Sequence, residues 1–392
     1  MNDVGLPVLG ARGCLGRLNP LIRQVRDNGP VSRVRTVTGD EAWLVTRHAE
    51  LKQLLMDSRL GNTHPDPQNR PRYLDNVLLD LLVSDQDPAA ARQFHLDFRA
   101  QLTPHFSAAR MSGLRARVGA VVDELLGDVL AEPSPVDMHN AFSLPLSYQI
   151  LCDLIGIADR DEYMAVLHPA GNVGAESDSV GGLYDYLVRL AGRKREQPGD
   201  DLASALCAAG HPDETVALLL VAVTMSYLVT PHGISAAIGL FAMNPGQHKL
   251  VADDPRLLPG AVEETLRLSK FSESMVPRYA NADIDIAGVT IRAGDLVLCD
   301  HGSVGFDDRV FSDPERFDVT RAPNPHLVFS HGITYCIGAP LARLEIHEVL
   351  ARLLPRLPVM RLAIPVDEIQ LYGDLGEGQL GGGIAHLPIA WD

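Results

Sequence analysis

Near the C-terminal end of the chain, Phe329-Ser330-His331-Gly332-Ile333-Thr334-Tyr335-Cys336-Ile337-Gly338 holds one cysteine in a glycine-punctuated loop just ahead of a helix. Pro340 stands near the helix start, and Leu341, Ala342, Leu344, Ile346 and Leu350 carry its apolar positions. A thiol at a helix N-terminus meets the positive end of the helix dipole and free backbone N–H groups, and both favour thiolate over thiol. Gly332 and Gly338 have no Cβ, so the backbone there can turn tightly and lie against a flat ligand. A thiolate presented this way, open on one side, suits the fifth ligand of a haem iron. The competing reading of the loop is a buried structural cysteine in a strand-to-helix turn.

Further segments narrow the choice. Glu264 and Arg267, in Ala261-Val262-Glu263-Glu264-Thr265-Leu266-Arg267, stand three apart on one helix face and can pair. Downstream lie Phe311-Ser312-Asp313-Pro314-Glu315-Arg316-Phe317, then the Cys loop, then Gly338-Ala339-Pro340-Leu341-Ala342-Arg343-Leu344-Glu345. In this order, over most of the chain, the segments resemble the cytochromes P450, with their Phe-x-x-Gly-x-x-x-Cys-x-Gly loop and Glu-x-x-Arg helix. The resemblance implies a mainly α fold with a smaller β region, a triangular helix-rich prism around a buried heme b. It implies one domain over residues 1–392 and Cys336 as the protein's iron ligand. It also implies that the segment Phe311–Phe317, which carries Arg316, lends a second arginine to the Glu264–Arg267 pair.

Composition sets outer bounds. Apolar residues make up 46% of the 392, enough for a sizeable core. Cys14, Cys152, Cys207, Cys299 and Cys336 are scattered without metal-site spacing, which argues for a reducing compartment and points to the cytoplasm. The opening residues lack a charged region followed by an apolar run, so no leader or anchor is expected. Val216–Val229, the most apolar run, reads as a buried core helix too short to span a bilayer. A formal charge of −16 without a basic stripe excludes nucleic acid as a partner. Arg343, Arg352 and Arg356 follow the Cys loop, where an acidic electron donor would dock.

Periodicity predicts helices at about 20–28, 50–56, 88–103, 107–131, 141–156, 177–195, 213–243 and 259–269. Val31–Thr36 and Ala42–Thr46 read as a hairpin around Thr38-Gly39-Asp40, residues 276–302 as strands, and the tail after 357 as short strands. Residues 57–72 read as a loop.

Two propionates need cationic partners when buried. His95 and Arg99, four apart on one helix face, resemble the family's His-x-x-x-Arg, and Arg278 matches a third propionate arginine. Phe329, Gly332, Thr334 and Gly338 complete the expected cofactor contacts. Thr334 departs from the family's usual His or Arg and can offer one hydrogen bond without charge.

The larger departure lies in the long helix. The family's Ala-Gly-x-(Asp/Glu)-Thr falls on Met225, Ser226, Tyr227, Leu228 and Val229. In the family, that acid and alcohol deliver the protons that let dioxygen's O–O bond split heterolytically; Leu228 and Val229 have none to give. Ser226, Thr230 and His232 are the remaining candidates, and Pro231 predicts a kink that could turn Thr230 or His232 inward. The competing reading has Thr230 bonding a carbonyl of its own helix. Segments 57–85, 165–180 and 271–276 are the expected substrate contacts.

Two functions follow from the resemblance. One is a haem-thiolate oxidase tailoring a bulky, mainly apolar small molecule in bacterial secondary metabolism, fed by a ferredoxin or flavodoxin, with atypical proton delivery or non-hydroxylating chemistry. The other is a non-catalytic P450-like partner that stabilises or activates a glycosyltransferase.

Overall fold

Val31–Arg35 and Glu41–Val45 pair antiparallel, as their alternation requires, around a turn in which Gly39 takes φ +89°. In this computed structural model, which describes residues 4–5, 15–74, 83, 86–170, 177–269, 275–369 and 383–392, the hairpin nucleates a six-stranded sheet. Its spatial order is Val4–Gly5, Val31–Arg35, Glu41–Val45, Leu296–Asp300, Met275–Ala280 and Leu60–Gly61. Leu60–Gly61 lies inside the segment expected to be loop; pairing with Tyr279 and Ala280 makes it a strand. Smaller sheets join Ile284–Ile286 with Val289–Ile291, and Met360–Leu362 with Pro388–Trp391 and Val136–Asp137.

Helices make up the rest of the core. The predicted 107–131 helix is two, Ala108–Gly113 and Arg115–Ala131, and the 141–156 helix begins with a π turn at His139–Ser143 before Leu144–Ile155. Arg160–Ala170, Leu202–Ala208 and Pro245–Asp253 are helices that periodicity did not reveal. The Cys helix, Ala339–Arg356, packs its Leu341, Leu344, Val349, Leu350 and Leu353 into the main apolar core.

The long helix is the instructive case. It ends at Tyr227 and restarts at Thr230, with Leu228 and Val229 forming the break. Pro231 has no N–H to donate to the Tyr227 carbonyl and its ring crowds that carbonyl, so the break falls one turn before the proline. Among the described residues, Asp213–Met243 is the one run long and apolar enough to cross a membrane, longer than the Val216–Val229 stretch suggested, and 61% of its most apolar window is buried in the protein.

Glu264 and Arg267 form the expected pair, bidentate at 2.7 and 2.8 Å and fully buried. The second arginine is Arg321, not Arg316. Arg316 offers only its backbone carbonyl to the network, and its side chain turns out toward Asp318.

Candidate active site

The Cys loop folds back on itself before the helix begins. Cys336 N–H donates to the Phe329 carbonyl at 2.8 Å, and Thr334 Oγ1 donates to the His331 carbonyl at 2.9 Å. Phe329 lies under the Arg343 guanidinium, 4.6 Å from ring centroid to Cζ, and Arg343 grips Glu263 with 2.6 and 2.9 Å contacts. This clamp ties the loop and the Cys helix to the helix Leu258–Leu268. His326 and Arg343 hold the Glu263 carboxyl at about 2, against the opposing effect of burial.

Cys336 opens into a cavity of about 360 Å³ between the Cys helix and the broken helix. Phe98, Val223 and Leu341 supply apolar wall, and Arg99 enters from the side. The thiol is exposed to the cavity, and the protein packed around its loop pushes its pKa up. The N–H groups of Gly338 and Ala339 and the charges of Arg99 and Arg343 pull it down by less. The helix start supplies the donors expected of it, the Gly338 and Ala339 N–H groups acting on a sulfur that opens into the cavity.

The two loop glycines have separate roles. Gly338 lines the cavity, its missing Cβ leaving 3.8 Å to Cys336 Sγ. Gly332 faces the helix His48–Met56 instead: at φ +63° a Cβ there would sit 2.6 Å from Met56 Sδ. Its left-handed backbone is what calls for glycine there.

His95, Arg99 and Arg278 come together as the sequence suggested. Burial, then the nearby charges of Arg99 and Arg278, hold the His95 pKa down, opposed by a hydrogen bond at the Ile333 backbone. His95 Nε2 is buried without a hydrogen-bond partner among the described residues. Arg278 Nη1 reaches only its neighbour's Pro277 carbonyl, at 3.1 Å, and burial lowers the pKa of Arg278 and of Arg99. Among the described residues neither arginine has a carboxylate partner. The sequence reading passed over His301, buried at the end of strand Leu296–Asp300. Burial, then Arg278, take it down to about 4, and its Nε2 has no partner among the described residues. No motif flags it; only the pairing of its strand with Met275–Ala280 brings it beside Arg278.

Clustered cations without protein carboxylates, a buried orphan imidazole nitrogen, and a thiol at the wall of an apolar cavity together fit a dianionic haem with a sulfur ligand. Cys336 would hold the iron, and His95, Arg99 and Arg278 the propionates. Thr334 lines the cavity but spends its hydroxyl proton within the loop, and Ser330 Oγ lies 2.7 Å from its oxygen.

On the opposite wall, Ser226, Val229 and Thr230 face the cavity, whereas Leu228 is packed in the core. Thr230 makes no hydrogen bond to its own helix among the described residues, so the competing capping reading does not describe it. His232 is corrected more sharply. It is fully buried away from the cavity, stacked on His139 at 5.1 Å, with Gly383 so close that a Cβ would strike the imidazole. Of the arginines expected to meet an electron donor, Arg343 is held by Glu263, while Arg352 and Arg356 both meet Asp123. Parts of the expected substrate segments, residues 75–82, 84–85, 171–176 and 270–274, lie outside the described residues.

Comparison with known proteins carries the site to a family. The cytochrome P450 family model matches residues 253–361. Pentalenolactone synthase of Streptomyces exfoliatus is 37% identical, over 95% of this chain and 96% of that protein. Mycinamicin IV hydroxylase/epoxidase of Micromonospora griseorubida is 34% identical, over 100% of this chain and 97% of that protein. Among solved structures, the substrate-free cytochrome P450 PimD, a polyene macrolide antibiotic pimaricin epoxidase, superposes with a TM-score of 0.90 at 39% identity, covering 100% of both chains. The chain belongs to the cytochrome P450 family. It is an oxidoreductase of the monooxygenase class with heme b as its cofactor, and its relatives work in antibiotic and secondary-metabolite biosynthesis. The glycosyltransferase-partner reading finds no support among these relatives.

Proposed function

We propose that this chain, as one catalytic domain in the bacterial cytoplasm, oxidises a bulky and mainly apolar small molecule made by secondary metabolism. Its protons come by a route other than the family's acid and alcohol. The observation that carries the second half is the pair Leu228 and Val229: one side chain is packed in the core and the other faces the cavity without a proton to give. The first half draws on the apolar cavity wall and on relatives that act on bulky antibiotic scaffolds.

When bound, the haem supplies dioxygen activation. The chain's own residues do the rest of the work. Cys336 holds the cofactor by sulfur, the three cations neutralise its acid groups, and Phe98, Val223 and Leu341 exclude water. Ser226 and Thr230 place two hydroxyls on the wall opposite the thiol, where each can relay a proton between water and a bound substrate. Electrons arrive from a separate ferredoxin or flavodoxin.

The test compares coupling, product formed per NAD(P)H, on two substrates of similar bulk, with and without a hydroxyl near the reacting carbon. The hydroxyl-bearing substrate should couple well. The other should leak reducing equivalents as hydrogen peroxide, and added peroxide should drive its oxidation better than NAD(P)H does. Tight coupling on the substrate without the hydroxyl defeats the proton-route reading.

A further inference from the structure

Three buried histidines hold partners through a ring nitrogen. His48 reaches the Pro325 carbonyl at 2.8 Å, His139 the Ser235 hydroxyl at 2.9 Å and His248 the Leu354 carbonyl at 3.0 Å. His95 and His301 differ: the Nε2 of each is buried without a partner among the described residues. A buried polar atom left unmet costs free energy, and a group from outside the chain can remove that cost. The two orphans also share a neighbour, since the charge of Arg278 acts on both.

Strand pairing brings His301 and Arg278 together. Arg278 lies opposite Val297, and Val276 opposite Cys299, in the antiparallel pair Met275–Ala280 with Leu296–Asp300. Side chains alternate along a strand, so Val297, Cys299 and then His301 fall on the Arg278 face of the sheet. Asp300, between the last two, turns to the chain that follows, where its Oδ1 accepts from the Ser303 N–H at 2.9 Å. Arg278 itself reaches no more than the Pro277 carbonyl. Burial, and then Arg278, keep the His301 ring neutral against the opposing effects of Asp300 and of a hydrogen bond at the Cys299 backbone. A guanidinium and an imidazole thus stand on one buried face with no carboxylate of the chain paired to Arg278. A carboxylate from elsewhere would meet the positive charge of one and the open nitrogen of the other. Thr334 cannot supply that second contact, because its hydroxyl proton goes to the His331 carbonyl.

We propose that His301 anchors the haem propionate that Arg278 neutralises, donating from Nε2 to the same carboxylate. His301 is then a positioning residue: it holds the acid group of the cofactor against Arg278 and touches no reacting atom. His95 and Arg99, four apart on their helix, are left to the other propionate.

Haem transfer to excess apomyoglobin reads the anchor, and the propionate bending bands in the resonance Raman spectrum of the loaded enzyme read the bond itself. His301→Leu should release haem about tenfold or more faster than wild type and shift one propionate band. His301→Gln, which keeps an N–H donor, should recover most of that loss and hold the band near its wild-type frequency. Stripped of haem, the leucine variant should melt no earlier than wild type, because it removes an unmet polar atom from the interior. His301→Phe, nearer to imidazole in shape, gives the same readings should the leucine variant not fold. Wild-type haem release with an unmoved band overturns the anchor. So does an equal loss of melting temperature with and without haem, which makes His301 a packing residue. Neither readout needs a substrate or an electron donor, so the anchor and the oxidase reading stand or fall separately.

Discussion

Arg321 Nε lies 3.1 Å from both carboxylate oxygens of Glu264, completing a buried Arg–Glu–Arg triad with Arg267 across 57 positions of sequence. The triad's arginines also hold the chain between residues 305 and 314 through the Gly305, Ser312 and Pro314 carbonyls. Removing one partner of a buried charge network costs about 3–5 kcal/mol. Arg321→Ala should therefore lower the denaturant midpoint sharply, whereas Arg316→Ala, whose side chain is exposed, should stay within about 0.5 kcal/mol. Equal losses in the two variants would contradict this assignment.

Cys336→Ala should abolish the Soret band that marks a sulfur-ligated haem in the reduced carbon-monoxide complex. The other described cysteines, Cys152, Cys207 and Cys299, are buried and cannot substitute. A surviving band in the variant would remove Cys336 from the iron.

Arg99 and Arg278 should separate cofactor retention from intrinsic stability. Each well-formed charge-assisted hydrogen bond contributes about 1.5–3 kcal/mol. The double variant Arg99→Ala, Arg278→Ala should then lose haem on dilution and melt earlier than the loaded wild type. Stripped of haem, the same variant should melt no earlier than wild type, because desolvated guanidiniums without carboxylates weaken the empty fold. Full haem occupancy in the double variant would count against the cation cluster.

The Glu263 clamp predicts an acid limit. Its folded pKa is depressed to about 2 from an ordinary 4.5. The stabilisation is thus complete above the unfolded value and is lost as pH falls toward the folded one. Glu263→Gln should flatten the stability curve between pH 4.5 and 2, lying below the wild type at neutral pH and converging on it toward pH 2. An unchanged slope there would place the acid sensitivity elsewhere.

The two positions of the missing pair should respond differently to restoration. Val229→Thr adds a hydroxyl on a cavity-facing side chain and should raise coupling on a substrate without its own hydroxyl. Leu228→Asp puts an unpaired carboxylate into the core, 5% exposed, and should destabilise the fold by about 3–5 kcal/mol before any gain is seen. Thr230→Ala should lower coupling, since its hydroxyl faces the cavity; unchanged coupling would leave Ser226 as the sole wall hydroxyl in use.

Local chemistry was legible in the sequence. A cysteine between glycines at a helix start, Glu264 three before Arg267, and His95 four before Arg99 depend on one turn of helix or one loop, and spacing along the chain specifies them. The break near Pro231 was legible for the same reason, since a missing N–H acts on its own preceding turn. What the tertiary structure decided are the matters that cross between elements. Arg321 displaced Arg316 because the loop after residue 312 curls back over Glu264. The break could have swung His232 or Thr230 inward; His139 and Gly383 claimed the imidazole, which left Thr230 to the cavity. Tyr227 and Glu345 meet across 118 positions, and no periodicity within either helix could signal a partner on the other. Periodicity specifies which face of a helix is buried; only packing specifies against what.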